Sequence, residues 1–391
     1  MSTSSILISN ELAILALLSR PQLALPQQQE LRQRIQSGVD KALLRQLFEQ
    51  HKVWGCAYSN VVKYCHDLIP IEQLEYLEEK YQQGVKCNRL SLQQFFQITY
   101  AFKQANINIK TLKGIPLAQH LYHDIAKRHF KDIDLLIQEK DLTLSNQLLN
   151  QLGYRCEAME ILPASIMPVY FSVHKDLTYC NNTGVTLELH LRLSDYDSQL
   201  SEQLTYSIFS AAQKNWDQYE EFIYLSWHGT NTLYHRLKWL CDLALFIEQQ
   251  SLDFPELYRK ATMVSKCRAV TTSLVLCHQL YNTKLPPEAI EYFNNDKLCR
   301  KLVNKCLAQL ELHRPNPLLV SLQTILCPIL FIETHKERTA ALLLRFKVNY
   351  ADLKYLPILP SWLHFVYYFA RPFTFIWRKV IRLNDKAITP Q

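Results

Sequence analysis

Glycine is scarce in this chain, with seven in 391 residues. So few permissive backbone positions argue against a sheet-rich or loop-rich protein, and the leucine- and glutamine-rich texture favours helices. The eleven cysteines contain no Cys-x-x-Cys pair. Their spacings do not suggest a zinc ribbon and leave reduced core thiols as the simplest reading. No uncharged apolar run reaches the ~18 residues that a membrane-spanning helix requires. The opening stretch MSTSSILISNELAILALLSRP has no basic start and carries Asn10 and Glu11. It reads as an amphipathic helix over 9–19, not as a secretory signal. The expected location is therefore cytoplasmic. No block of Lys and Arg is long enough for a nucleic-acid arm and no aromatic-basic interleave resembles an RNA-binding module, so there is no strong nucleic-acid signal. The net charge of +7 still suits an anionic substrate.

What the chain does have is a core: 48% of its residues are hydrophobic. Within that background, residues 132–137 read DIDLLI. Side chains alternate across a strand, so Asp132 and Asp134 share one face while Ile133, Leu135 and Ile137 share the other. Two carboxylates on one face repel, and a hard divalent cation is the usual remedy. A third acid comes from residues 185–193, VTLELHLRL. Strict alternation over this run predicts a half-buried strand with Glu188, His190 and Arg192 on one side. Side by side, the two strands would gather Asp132, Asp134 and Glu188 into a metal-dependent phosphoryl-transfer centre.

Upstream, Asn108–Leu112 predicts a short strand, Lys113-Gly114 a turn, and LAQHLYHDIAKR a helix with Pro116 in its first turn. Such a turn into a helix suits phosphate, and Lys113 adds a cation. Arg128, four residues before Asp132, is divided between a phosphate contact and a structural salt bridge. His174 and Lys175 end a β-like stretch, PVYFSVH, and with His190 and Arg192 are candidates to line the site. In RLKWLCDLALF the apolar stripe at 237, 240, 243, 244 and 247 predicts a helix, with Trp239 and Asp242 fixing it in the core.

The run LKGIPLAQHLYHDIAKRHFKDIDLLI, then LGY at 152–154, LELHLRL at 187–193 and WHGTNTLYHRLKWLCDLALF at 227–246, resembles a bacterial nucleotidyltransferase family. That family belongs to the DNA polymerase beta-like superfamily. The resemblance resumes at LPSWLHFVYYFARPF, 359–373. It implies an α+β fold, a small mixed-sheet nucleotidyltransferase core embedded in a largely helical chain. By position, Gly114 matches the superfamily's turn, Asp132 and Asp134 its metal pair, and Glu188 its third acid. Two Mg²⁺ ions, a nucleoside triphosphate such as ATP and an acceptor follow as implications. Lys113, Gly114 and Arg128 would face the nucleotide. The turn departs from the superfamily's usual Gly-Ser or Gly-Gly, and Thr232 stands where relatives often carry a histidine.

Punctuation divides the chain into helical residues 1–105, with helices at 9–19, 28–65 broken near Gly38, and 71–106. A catalytic core follows at 106–195, with a helix at about 140–152, and then a helical segment at 196–391. The C-terminal run WLHFVYYFARPFTFIWRKVIRL is aromatic, with Arg378, Lys379 and Arg382 at its far end. A helix docked on the catalytic domain and bent at Pro372 is favoured over a peripheral membrane contact. Three functions compete. They are a nucleotidyltransferase acting on a small-molecule, sugar or peptide acceptor, an inactive nucleotide-binding module, and a membrane-surface assembly partner in envelope biosynthesis. Among relatives, the acceptor chemistry is associated with polysaccharide or modified-peptide production.

Overall fold

The computed structural model describes residues 8–195, 199–210, 217–311, 328–354, 356–367, 369–371 and 373–374. It shows a small four-stranded mixed sheet set among helices. The strands are β1 (Lys110–Thr111), β2 (Asp132–Leu136), β3 (Asp176–Cys180) and β4 (Thr186–His190). Their order across the sheet is β1-β2-β4-β3, with β2 and β4 parallel and both outer pairings antiparallel. Asp134 lies directly opposite Glu188, and Asp176 opposite His190.

The alternation predicted from sequence sorts the two faces. Ile133, Leu135, Leu177, Tyr179, Leu187 and Leu189 are buried in one core, with Ile98 and Phe102 of the helix Ile71–Gln104 among their neighbours. The same helix reaches a second core through Leu77. That second core joins Asn10–Leu18 to Cys267–Tyr281, so helices more than 240 residues apart in sequence share one apolar cluster. The opposite sheet face, carrying the acids, looks toward this helical part: Leu136 and Leu112 belong to its core.

Several expected elements differ. The 28–65 helix is three helices, Leu25–Gln36, Lys41–His51 and Trp54–Tyr64. Asp40 caps the second by accepting from Ala42 and Leu43 N–H, and Lys52 ends it in a left-handed conformation. The helix after Pro116 stops at His120. Beyond it Asp124 accepts from Ala126 N–H, a local turn that competes with helix. PVYFSVH is not a strand. Pro168 sits in the first turn of the helix Met167–Phe171, and the strand starts at Asp176. The predicted strands at 108–112 and 185–193 shorten to 110–111 and 186–190.

Val348, Leu353 and Tyr367 pack into the sheet core, and the Tyr367 hydroxyl donates to the Pro357 carbonyl at 2.8 Å. Trp362, Phe365, Phe369 and Phe373 are exposed. Pro372 and the basic residues Arg378, Lys379 and Arg382 lie outside the described residues. Among the described residues no helix is long and apolar enough to cross a membrane.

Candidate active site

The side chains of the sheet's polar face converge on Asp134. Its carboxylate is 3% exposed, yet Lys113 Nζ is 3.1 Å and His190 Nε2 3.2 Å from the same oxygen, Oδ1. His190 Nε2 is also 3.4 Å from Glu188 Oε2. An imidazole nitrogen between two carboxylates must carry a proton and donate. Its other nitrogen, Nδ1, is buried without a hydrogen bond, 3.6 Å from Asp176 Oδ2.

Burial alone would raise the Asp134 pKa, but the Lys113 ammonium and the His190 hydrogen bond outweigh it and hold the acid far below the usual carboxylate range. The reciprocal holds for the cations. Burial would lower Lys113 and His190, and the facing carboxylates raise both instead. Asp132 behaves differently: burial, reinforced by the Glu188 charge, raises its pKa. It begins β2, two residues before Asp134 on the same face, and its closest cation is Lys131 Nζ at 3.9 Å.

Gly114 makes the turn that brings Lys113 here. Its backbone has φ +71° and ψ −105°, a region that a Cβ strongly disfavours. Behind the turn, Arg128 Nη1 donates to the Gly114 carbonyl at 3.3 Å. The remaining guanidinium edge of Arg128 faces Asp242, with Nε and Nη2 at 2.8 and 2.7 Å from its two oxygens. The side chain is 4% exposed. Arg128 thus stands inside the protein and braces the turn. Of the two roles that the sequence leaves open for Arg128, this geometry is that of the structural salt bridge, with Asp242 and the Gly114 carbonyl taking its donors.

His174 likewise acts as a brace: Nε2 accepts from Tyr350 N–H at 3.1 Å while its ring stacks on Tyr170 at 4.5 Å. Arg192 donates to the Phe171 and Asp195 carbonyls, at 2.6 and 3.0 Å. Lys175 is half-buried just before β3. The helix Gln218–Thr230 lies over the site and brings Tyr224 and His228, both buried enough to be held neutral, within the field of Lys113 and Lys175.

The sequence reading omitted Asp176 and Tyr224. KDLTYC alternates as clearly as DIDLLI, with Leu177 and Tyr179 inward, and would have revealed Asp176 had the strand not been assigned to PVYFSVH. Tyr224 and His228 stand four apart on a helix, a spacing that shares a face but signals no chemistry without knowledge of what that face covers.

Ligand atoms of Asp134, Glu188 and His190 all lie within 4.8 Å of one another. With His190 Nε2 donating its proton, the two carboxylates are the groups that a cation can bridge. Two carboxylates beside a cationic turn form an oxygen-rich donor set. Residues 37–282 match the model of a family described as Uncharacterised nucleotidyltransferase. The chain belongs to that family. No curated protein and no solved structure matches it. The matched span takes in the Lys113-Gly114 turn, both acid strands and the covering helix, so the family segment and the charge cluster coincide.

Proposed function

We propose that this nucleotidyltransferase-family chain transfers a nucleotidyl group from a nucleoside triphosphate to an acceptor hydroxyl, with pyrophosphate as the other product. The observation that carries the reading is the placement of Asp134 opposite Glu188 on parallel strands, with Lys113 touching the same acid.

The donor set fits a divalent cation. Asp134 is held ionised and Glu188 faces it, and paired carboxylates are the ligands that Mg²⁺ takes alongside substrate phosphates. Asp134 and Glu188 would be the principal ligands, with Asp132 at the margin and one or two ions held between them. When bound, the metal supplies Lewis-acid polarisation of the phosphoryl oxygens and acidifies the acceptor hydroxyl.

The protein's own groups do the rest. Lys113 is 18% exposed, enough to meet solvent or substrate, and it can turn from Asp134 to a phosphate oxygen once the carboxylate has another cation. The Gly114 turn fixes where that ammonium sits, and Arg128 with Asp242 keeps the turn from moving. His190 holds the Asp134 and Glu188 side chains in register through its shared Nε2 proton. Tyr224 and His228 cover the cluster and limit water, which strengthens each charge interaction beneath them.

A second reading, a module that binds nucleotide without turnover, draws on the same geometry. Lys113 and His190 already satisfy Asp134, and a closed charge network of this kind could serve binding alone. Mg²⁺-dependent calorimetry with each of the four nucleoside triphosphates tests both readings. Pyrophosphate release in the presence of acceptor extracts separates transfer from binding. Binding of no triphosphate would end both.

A further inference from the structure

Beside the acid cluster lies a cleft of about 320 Å³, close to the lower bound for small-molecule sites. Lys175 lines it and is next in sequence to Asp176, whose carboxylate is 3.6 Å from His190 Nδ1. Ser194 and Asp195 after β4, His228 of the covering helix, Asn231 capping that helix and Arg345 provide further polar groups, and Trp227 gives an apolar wall. That wall is fixed. The Lys266 ammonium lies 4.7 Å from the Trp227 ring centre and pairs with Glu337 at 2.8 Å.

The sheet order gives this cleft a side. β1 and its Lys113-Gly114 turn flank the acid strands β2 and β4 on one edge, and β3 with Lys175 flanks them on the other. In-line displacement at phosphorus places the entering and leaving oxygens on opposite sides. With the pyrophosphate over Lys113, the entering hydroxyl arrives from the β3 edge, where the cleft opens. The Lys175 carbonyl accepts from Leu191 N–H at 2.9 Å, which fixes its backbone beside β4, while its ammonium has no hydrogen bond or ion pair to any described residue. Burial would lower its pKa, but Asp195 and the nearby Tyr224 and Asp176 keep it cationic.

We infer that this cleft receives the acceptor, and that the acceptor is a small hydroxyl-bearing molecule with an anionic group, a phosphate or a carboxylate, held by Lys175. The inference rests on the nucleotidyl-transfer reading. In the reaction the acceptor oxygen bonds to the α-phosphorus and the bond from that phosphorus to the α,β-bridging oxygen breaks. The bond pair departs on pyrophosphate, and the hydroxyl proton passes to the Glu188 carboxylate. The apolar wall and small volume select a sugar-sized molecule over a polymer segment.

The test uses full-length protein and Mg²⁺. Calorimetry first measures binding of the α,β-methylene analogues of the four nucleoside triphosphates. Inorganic phosphate and acetate are then titrated separately into protein saturated with the analogue that binds. The expected result is a second site for one of the two anions. Lys175→Met should weaken it at least tenfold, Lys175→Arg should retain it, and analogue affinity should change less than twofold in both. Phosphate binding alone assigns a phosphorylated acceptor, and acetate binding alone a carboxylate. Should Lys175→Met fail to fold, Asn231→Trp, at an exposed position on the cleft wall, should abolish the same site by filling it. Loss of analogue affinity in Lys175→Met, or no second anion site in wild type, overturns the inference alone. Absence of analogue binding in wild type overturns the nucleotidyl-transfer reading and this inference with it.

Discussion

Arg128 and Asp242 form a bidentate pair, Nε to Oδ1 at 2.8 Å and Nη2 to Oδ2 at 2.7 Å, inside the protein. Tyr122 donates to the same Oδ1 at 2.9 Å. The pair ties the helix Leu237–Gln249 to the turn beneath the acid strand. Removing one partner leaves a buried charge alone, whereas removing both does not. Arg128→Met should therefore destabilise the protein by about 3–5 kcal/mol, and Arg128→Met with Asp242→Leu by clearly less. Urea denaturation of the three proteins checks this. Equal losses in the single and double variants would show that the pair does not brace the turn.

That pair also marks how far sequence can be read here. Alternation alone was enough to group Asp132 with Asp134 on one strand and Glu188 with His190 on the other, and to choose the inward-facing residues of β2 and β4. It could not determine whether β2 and β4 were neighbours, because pairing is decided by packing of the whole sheet. Arg128 was ambiguous because its partner is 114 residues away. Short elements failed for a local reason: Pro168 and Asp124 impose a helical turn and an Asx-type turn on stretches whose hydrophobic pattern suggests otherwise. Asp132 and Asp134 looked equivalent in DIDLLI. Their surroundings separate them, one with a raised and one with a strongly lowered pKa.

Close packing beneath the same turn gives a second prediction. A Cβ on Gly55 would collide with the carbonyl oxygens of Ala126 and Lys127, main-chain atoms that cannot rotate away. Gly55→Ala should cost about 2–3 kcal/mol, at the upper end of overpacking penalties. It should also reduce nucleotide affinity, because residues 126–127 lead into Arg128. Wild-type thermal stability in Gly55→Ala would show that the helix Trp54–Tyr64 can shift without penalty.

Lys113 offers a test of the charge network. Lys113→Met removes a cation 3.1 Å from Asp134 and leaves His190 as its remaining close donor. Triphosphate affinity should fall roughly 10- to 100-fold, equivalent to about 1.4–2.8 kcal/mol. The Asp134 pKa should rise, which carbon-detected NMR of labelled carboxylates can follow. Unchanged affinity would mean that Lys113 serves only to satisfy Asp134.

Stability should also carry a pH signature from outside the site. Burial pushes the Glu221 carboxyl up from 4.5 to about 7. The folded state therefore binds this proton more tightly than the unfolded chain. The resulting stabilisation is fully present below about 4.5 and is lost as pH rises through 7. Glu221→Gln should remove that dependence and be the more stable protein at pH 8, by about 1–2 kcal/mol after allowance for partial exposure. Parallel stability curves for wild type and variant between pH 5 and 8 would show that Glu221 is not perturbed.

The most direct measurement of the account is Mg²⁺-dependent triphosphate binding by wild type, Asp134→Asn and Glu188→Gln, each confirmed folded. The account predicts micromolar-range binding of at least one triphosphate by wild type that chelation abolishes. Each variant should lose at least a hundredfold in affinity or in pyrophosphate release. Metal-independent binding, or binding unaffected by both substitutions, would contradict the assignment of Asp134 and Glu188 as the centre of this protein's chemistry.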